Sequence, residues 1–179
     1  MKPAVIVLHG PTSAGKSSLA RALQDIAPVP AFHVALDAFV TMSRRRDMRS
    51  SEEVRKAYHL HCENLCSTLA RLVDTQFEII VDLVLRDETE LQNALRALSN
   101  RPTYLVGVRA PLDVLENRER SRGDRGAGMA REQSVDPAFS RNYDLVIDTS
   151  RHSPEDGAAV VRNFMRDHSH RTEAGSDAV

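Results

Sequence analysis

Eight residues near the amino terminus, Gly10-Pro11-Thr12-Ser13-Ala14-Gly15-Lys16-Ser17, carry the G-x4-G-K-S spacing of a phosphate-binding loop, or P-loop. Such a loop wraps its backbone N–H groups around phosphate oxygens, and Gly10 and Gly15 remove side chains that would block a close approach. Gly10 through Ser17, with Ser18 behind them, are therefore expected to bind a nucleotide. Lys16 would reach the outer phosphates, and Ser17 Oγ would be available to Mg²⁺. The apolar run Val5–Leu8 reads as a strand covered on both faces. The segment from Lys16 to Ile26, with Leu19, Leu23 and Ile26 at core-facing spacing, reads as a helix that turns its positive end to the anion.

Two carboxylates follow at chemically useful places. Asp37 stands where a second strand, Phe32–Leu36, ends. In open parallel sheets ligands bind at the carboxyl ends of the strands, so this group could reach an acceptor hydroxyl, or it could cap the next turn. Asp82 interrupts the apolar strand Phe77–Leu85. That suits a carboxylate holding Mg²⁺ directly or through water, with a structural ion pair as the alternative. Further on, Arg118, Arg120, Arg122, Arg125 and Arg131 surround Gly123, Gly126 and Gly128. Arginine forks suit phosphate oxygens and glycines suit a hinge, so the segment looks like a mobile lid over a nucleoside triphosphate. The competing reading is a helix face paired with Asp113, Glu116, Glu119 and Asp124.

These groups need a scaffold. The 179 residues suffice for one domain with a substantial core, expected over residues 1–168 with the lid at about 118–133, and residues 169–179 read as a disordered tail. A formal charge of −1 argues against a general affinity for nucleic acid or anionic membrane. No apolar run approaches the ~20 residues of a membrane helix, and no signal peptide is apparent, which makes the cytoplasm the expected location. Cys62 and Cys66, four apart on one predicted helix, suit small apolar core residues in a reducing compartment. Neighbouring His59 and His61 would point to different sides of that helix, which argues against zinc. That helix spans about 51–73, with Val54, Ala57, Leu60 or His61, Leu65, Leu69 and Leu72 inward. A short helix at 87–99, a strand at Tyr104–Val108, a helix from Pro111, a strand at Tyr143–Ile147 and a last helix from Pro154 to about Met165 complete a β-α repeat. The result is a three-layer α/β domain on a five-stranded parallel sheet.

The chain resembles the chloramphenicol phosphotransferase family, within the shikimate-kinase-like group of small P-loop kinases. The residues that carry the likeness are Gly10–Ser17, Asp37, the run Arg-Gly-Asp-Arg-Gly-Ala-Gly-Met-Ala at 122–130 with Gln133, Val106–Arg109, and Tyr143-Asp144 through Asp148-Thr149. The resemblance implies a strand order of 2-3-1-4-5 and ATP as phosphoryl donor. It also implies Asp37 as general base for an acceptor hydroxyl, with Arg122 and Arg125 on the transferring phosphates. It departs in two places. Leu83 stands where the family has a second acidic residue, and residues 40–66, which would meet the acceptor, do not match.

The expected activity is transfer of the γ-phosphoryl group of ATP to a hydroxyl of a small molecule. Asp37, Lys16, Arg122 and Arg125 would act in the chemistry, Arg118 and Arg122 on the nucleotide, and Ser17 and Asp82 on the metal. Three alternatives share the motifs: a zeta-toxin-like kinase of a nucleotide sugar, for which Arg44–Arg49 would suit an anionic acceptor; another metabolite or nucleotide kinase; and a nucleotide-binding regulatory module.

Overall fold

The computed structural model describes residues 2–122 and 128–169, and of Arg122 and Ser169 the backbone alone. Five strands, β1 (Val5–His9), β2 (Ala31–Ala35), β3 (Glu78–Leu83), β4 (Thr103–Arg109) and β5 (Leu145–Asp148), form one parallel sheet of order β2-β3-β1-β4-β5. The central strand β1 is buried along its whole length, as its unbroken apolar run requires.

Strand alternation assigns the two faces. Val5, Val7, Ile79 and Val81 pack beneath α3 (Ser51–Leu72) and α4 (Glu88–Arg96) through Leu65, Leu69, Leu91 and Ala94. Ile6, Leu8 and Ile80 face the other way, toward α1 (Lys16–Asp25), α5 (Leu112–Arg122), α6 (Met129–Ser134) and α7 (Pro154–Ser169). Asp82, two residues beyond Ile80, falls on that second face at the carboxyl end of β3, where α1 begins.

Several element bounds differ from the sequence reading. β2 stops at Ala35, and Leu36 opens a short helix, α2 (Leu36–Val40). Buried Leu36 anchors it, but five residues are too few to show helical periodicity. β5 starts at Leu145 rather than Tyr143, because Asp144 Oδ2 accepts the Leu105 N–H and Tyr143 turns its ring onto Gly107 instead. Between the alternatives Leu60 and His61, His61 is the buried one. Helix α7 runs to Ser169, and residues 170–179 of the expected tail lie outside the described residues. Among the described residues no helix is long and apolar enough to cross a membrane.

Candidate active site

The phosphate loop leaves β1 between two close constraints. A Cβ on Gly10 would lie 2.1 Å from the Val108 carbonyl oxygen, so the β4 backbone alone already demands a glycine here. Gly15 has φ 91°, a left-handed conformation that favours glycine, and it caps α1. Ser13 also adopts a positive φ, 61°, which the sequence reading did not anticipate.

Four long-range contacts clamp the loop. Thr149 Oγ1 donates to the Ala14 carbonyl at 2.8 Å. Arg118 Nη1 donates to Thr149 Oγ1 at 2.8 Å and, more weakly, to the Ser13 carbonyl at 3.4 Å, while its Nη2 holds the Thr149 carbonyl at 2.9 Å. Thr12 N–H donates to Gln133 Oε1 at 2.6 Å. Ser17 Oγ donates to Asp82 Oδ2 at 2.7 Å. Within the loop, Lys16 is buried and its Nζ donates to the Pro11 carbonyl at 2.8 Å.

Asp82 is almost fully buried, and burial pushes its carboxyl pKa upward. The His33 ring, the Lys16 ammonium and the Ser17 hydroxyl oppose this and hold the group below the usual carboxylate range. His33 Nε2 stands 3.6 Å from Asp82 Oδ2, an ion-pair rather than a hydrogen-bond distance. Asp82 is thus held ionised and hydrogen-bonded to the loop's serine, at the carboxyl end of β3.

Asp37 is exposed, on the first turn of α2, two residues past Ala35, which is in register with Asp82. It is a residue of that helix; Ala35 takes the N-cap position. A cavity of about 430 Å³ opens on the other side of the loop, lined by Ser13, Gly15, Arg118, Thr149 and His152 among others. Arg118, which the sequence reading placed in the lid on the nucleotide, lies on α5 beside the loop and lines this cavity.

The lid reading changes in part. Arg125 and the side chain of Arg122 lie outside the described residues. Residues 128–134, expected to be mobile, form a docked element. Glu119 accepts the Gly128 and Ala130 amides at 3.0 and 2.9 Å, and Ala130 and Gln133 are buried. Arg131 pairs with Glu116 at 2.8 Å, as the competing helix-face reading expected. Sequence reasoning missed His9, which is fully buried at the foot of the loop. Its Nε2–H donates to the Leu85 carbonyl at 2.7 Å, which leaves Nδ1 to accept from Tyr143 Oη at 2.9 Å. Burial lowers its pKa to about 4, so the ring is neutral at pH 7.

A parallel sheet of this order, with a phosphate loop at the tip of its central strand and a carboxylate from the adjacent strand on the loop's serine, defines a small P-loop kinase fold. Solved structures agree with it. The chain superposes with a TM-score of 0.67 on a provisionally assigned kinase of Chloroflexus aurantiacus, at 21% identity over 93% of this chain and 97% of that one. It reaches the same score on the APS kinase CysC of Mycobacterium tuberculosis, solved with AMPPNP and APS, at 17% identity over 92% and 98% of the two chains. A provisionally named O-phosphotransferase of M. tuberculosis is 26% identical over 169 residues, covering 82% of this chain and 75% of that protein. Residues 3–166 match the model of the chloramphenicol phosphotransferase-like proteins, and the chain belongs to that family.

Proposed function

We propose that this protein transfers the γ-phosphoryl group of ATP to a hydroxyl of a small molecule. The observation that carries the reading is the division of space around the loop. A cavity of nucleoside size lies on the Arg118–Thr149 side, and the Asp37 and Asp82 carboxylates lie at the strand ends on the other. Ser13 Oγ, buried without a hydrogen-bond partner among the described residues, adds a polar atom suited to an incoming oxygen.

In this reading the loop amides and Lys16 hold the phosphates. Asp37 orients the acceptor hydroxyl and takes its proton as the new P–O bond forms and the bond to ADP breaks. Arg122 and Arg125 neutralise charge on the transferring group. The donor set of Ser17 Oγ and an ionised Asp82, both oxygen ligands, fits Mg²⁺, which would neutralise the phosphate oxygens when bound. The free thiols of Cys62 and Cys66 suit a cytoplasmic setting. A second reading concerns the acceptor alone. Arg44, Arg45, Arg46 and Arg49 are all exposed in the stretch after α2, which favours an anionic acceptor such as a nucleotide sugar over an uncharged one.

The test is ADP release from Mg·ATP against a panel of chloramphenicol, other antibiotics, nucleotide sugars, nucleosides and shikimate-like metabolites. Asp37→Asn is expected to lower acceptor-dependent turnover by about 10²-fold or more with ATP affinity unchanged. Near-normal turnover in that variant would remove Asp37 from the mechanism, and ATP binding with no turnover on any compound would favour a regulatory module.

A further inference from the structure

Gln133 sits on the last turn of α6 and is 5% exposed. Its amide oxygen takes the Thr12 N–H from 121 residues away. Three contacts hold α6 in place for this. Glu119 binds the amides at the start of the helix, Ala130 shares a core with Ala14 of the loop, and Arg86 bonds Glu132 and Asp136 on either side of Gln133. Thr12 is 1% exposed, so water is no substitute acceptor for its N–H.

The Thr12 N–H and the Pro11 carbonyl belong to one peptide unit, and the unit is trans and planar. The Pro11 carbonyl is the group that receives Lys16 Nζ at 2.8 Å. Gln133 on the N–H side and Lys16 on the carbonyl side therefore grip the same rigid plane from opposite edges. Rotation of that plane would withdraw the lysine's acceptor; Gln133 opposes it from the N–H edge, while the Ala14 N–H, 3.4 Å from the Pro11 carbonyl oxygen, makes a longer contact on the carbonyl edge.

We propose that Gln133 is a positioning residue for Lys16, acting through the Pro11–Thr12 peptide, and thereby for the outer phosphates of the donor. The inference rests on the donor half of the reading above and is independent of the acceptor. The nucleoside cavity is lined by Ser13, Gly15 and Ser18 but not by Thr12, so the gripped peptide lies at the loop's far end from the base. Loss of the grip should be felt at the terminal phosphate and hardly at the nucleoside.

The experiment is calorimetric titration of the full chain with Mg·AMPPNP and Mg·ADP, on wild type, Gln133→Ala and Gln133→Met. Methionine fills a similar volume without an acceptor, which guards against a variant that fails to fold. Loss of a hydrogen bond that orients a charged group predicts AMPPNP affinity down about tenfold in both variants, with ADP within about threefold. In a Lys16→Ala background the Gln133→Met effect on AMPPNP should vanish, because the two residues act on one peptide. Equal weakening of both nucleotides, no weakening of either, or full additivity with Lys16→Ala would overturn the inference. Failure of wild type to bind either nucleotide would overturn the donor reading itself, and this inference with it. Selective loss of AMPPNP would sustain both, whether or not an acceptor is found.

Discussion

His9 makes folding stability depend on pH in a window that lies mostly above the carboxylate range. Its ring is neutral when folded, with pKa about 4 against 6.5 in the unfolded chain. The unfolded state therefore takes up a proton as pH falls below 6.5, while the native state does so only near 4, and stability drops between those values. At 1.36 kcal/mol per unit of pKa shift, lowering the pH from 7.5 to 4.5 should cost about 2.5 kcal/mol. Asp82, held below its unfolded value of 3.8, contributes in the same direction but only at lower pH, so it leaves this window clear. Urea unfolding at pH 7.5, 6.5, 5.5 and 4.5 would measure the loss, with His9→Gln as control. Glutamine retains a donor for the Leu85 carbonyl but does not titrate. The expected result is a variant less stable at neutral pH whose pH dependence is flatter by about 2.5 kcal/mol over the window. Parallel curves for the two proteins would show that the ring titrates in the native state as it does in the unfolded chain, which would refute the argument. The consequence reaches the site, because His9 joins the end of β1, where the loop begins, to the segment leaving β3.

Two further substitutions test the scaffold behind the site. Gly107→Ala would put a Cβ 2.7–2.9 Å from the Tyr143 ring, which His9 holds in place, and overpacking of this kind should lower stability by roughly 1–3 kcal/mol in a denaturant titration. Arg162→Met would strand the Glu78 carboxylate, 2% exposed, which Arg162 now holds through both Nη atoms at 2.6 and 2.7 Å. The loss should be about 3–5 kcal/mol, and Glu78→Leu in the same chain should recover much of it.

The donor half of the site was legible because its constraints are local. A P-loop is set by consecutive backbone conformations, and its spacing survives in any fold that presents a strand and a helix in the right order. Asp82 was legible for a related reason: a charge inside an apolar strand has few roles open to it. Even here the structure adds a reason the spacing did not show, since a Cβ on Gly10 would meet the Val108 carbonyl. The polar residues on α5 and α6 were harder. Glu119 was read as a partner for arginines but serves the amides of Gly128 and Ala130. Gln133 was noticed only as part of a family resemblance, since a lone glutamine carries no periodicity that could announce a contact 121 residues away. Asp37 was placed at the correct strand end, yet the helix it belongs to was too short to read.

The two halves of the site differ in how many long-range contacts hold them, and this bears on what each half can specify. The eight-residue loop is tied to β3, α5, α6 and the end of β5 by separate hydrogen bonds, so its geometry is over-determined and its ligand class follows from it. The stretch between α2 and α3 is anchored across the fold by Ser43 on His61 at 2.7 Å, while the bond from Arg49 N–H to Glu53 is local to the start of α3. Its arginines are exposed and carry no share of the core. Farther along α3, burial together with Glu90 pushes the Cys62 thiol up to about 12, and burial is the main cause that raises Tyr58, with the Glu90 and Asp37 carboxylates adding to it. The loop is held from four elements of the fold while the stretch before α3 lies exposed at the surface, so the loop is the better determined of the two and the acceptor has to be found by the panel.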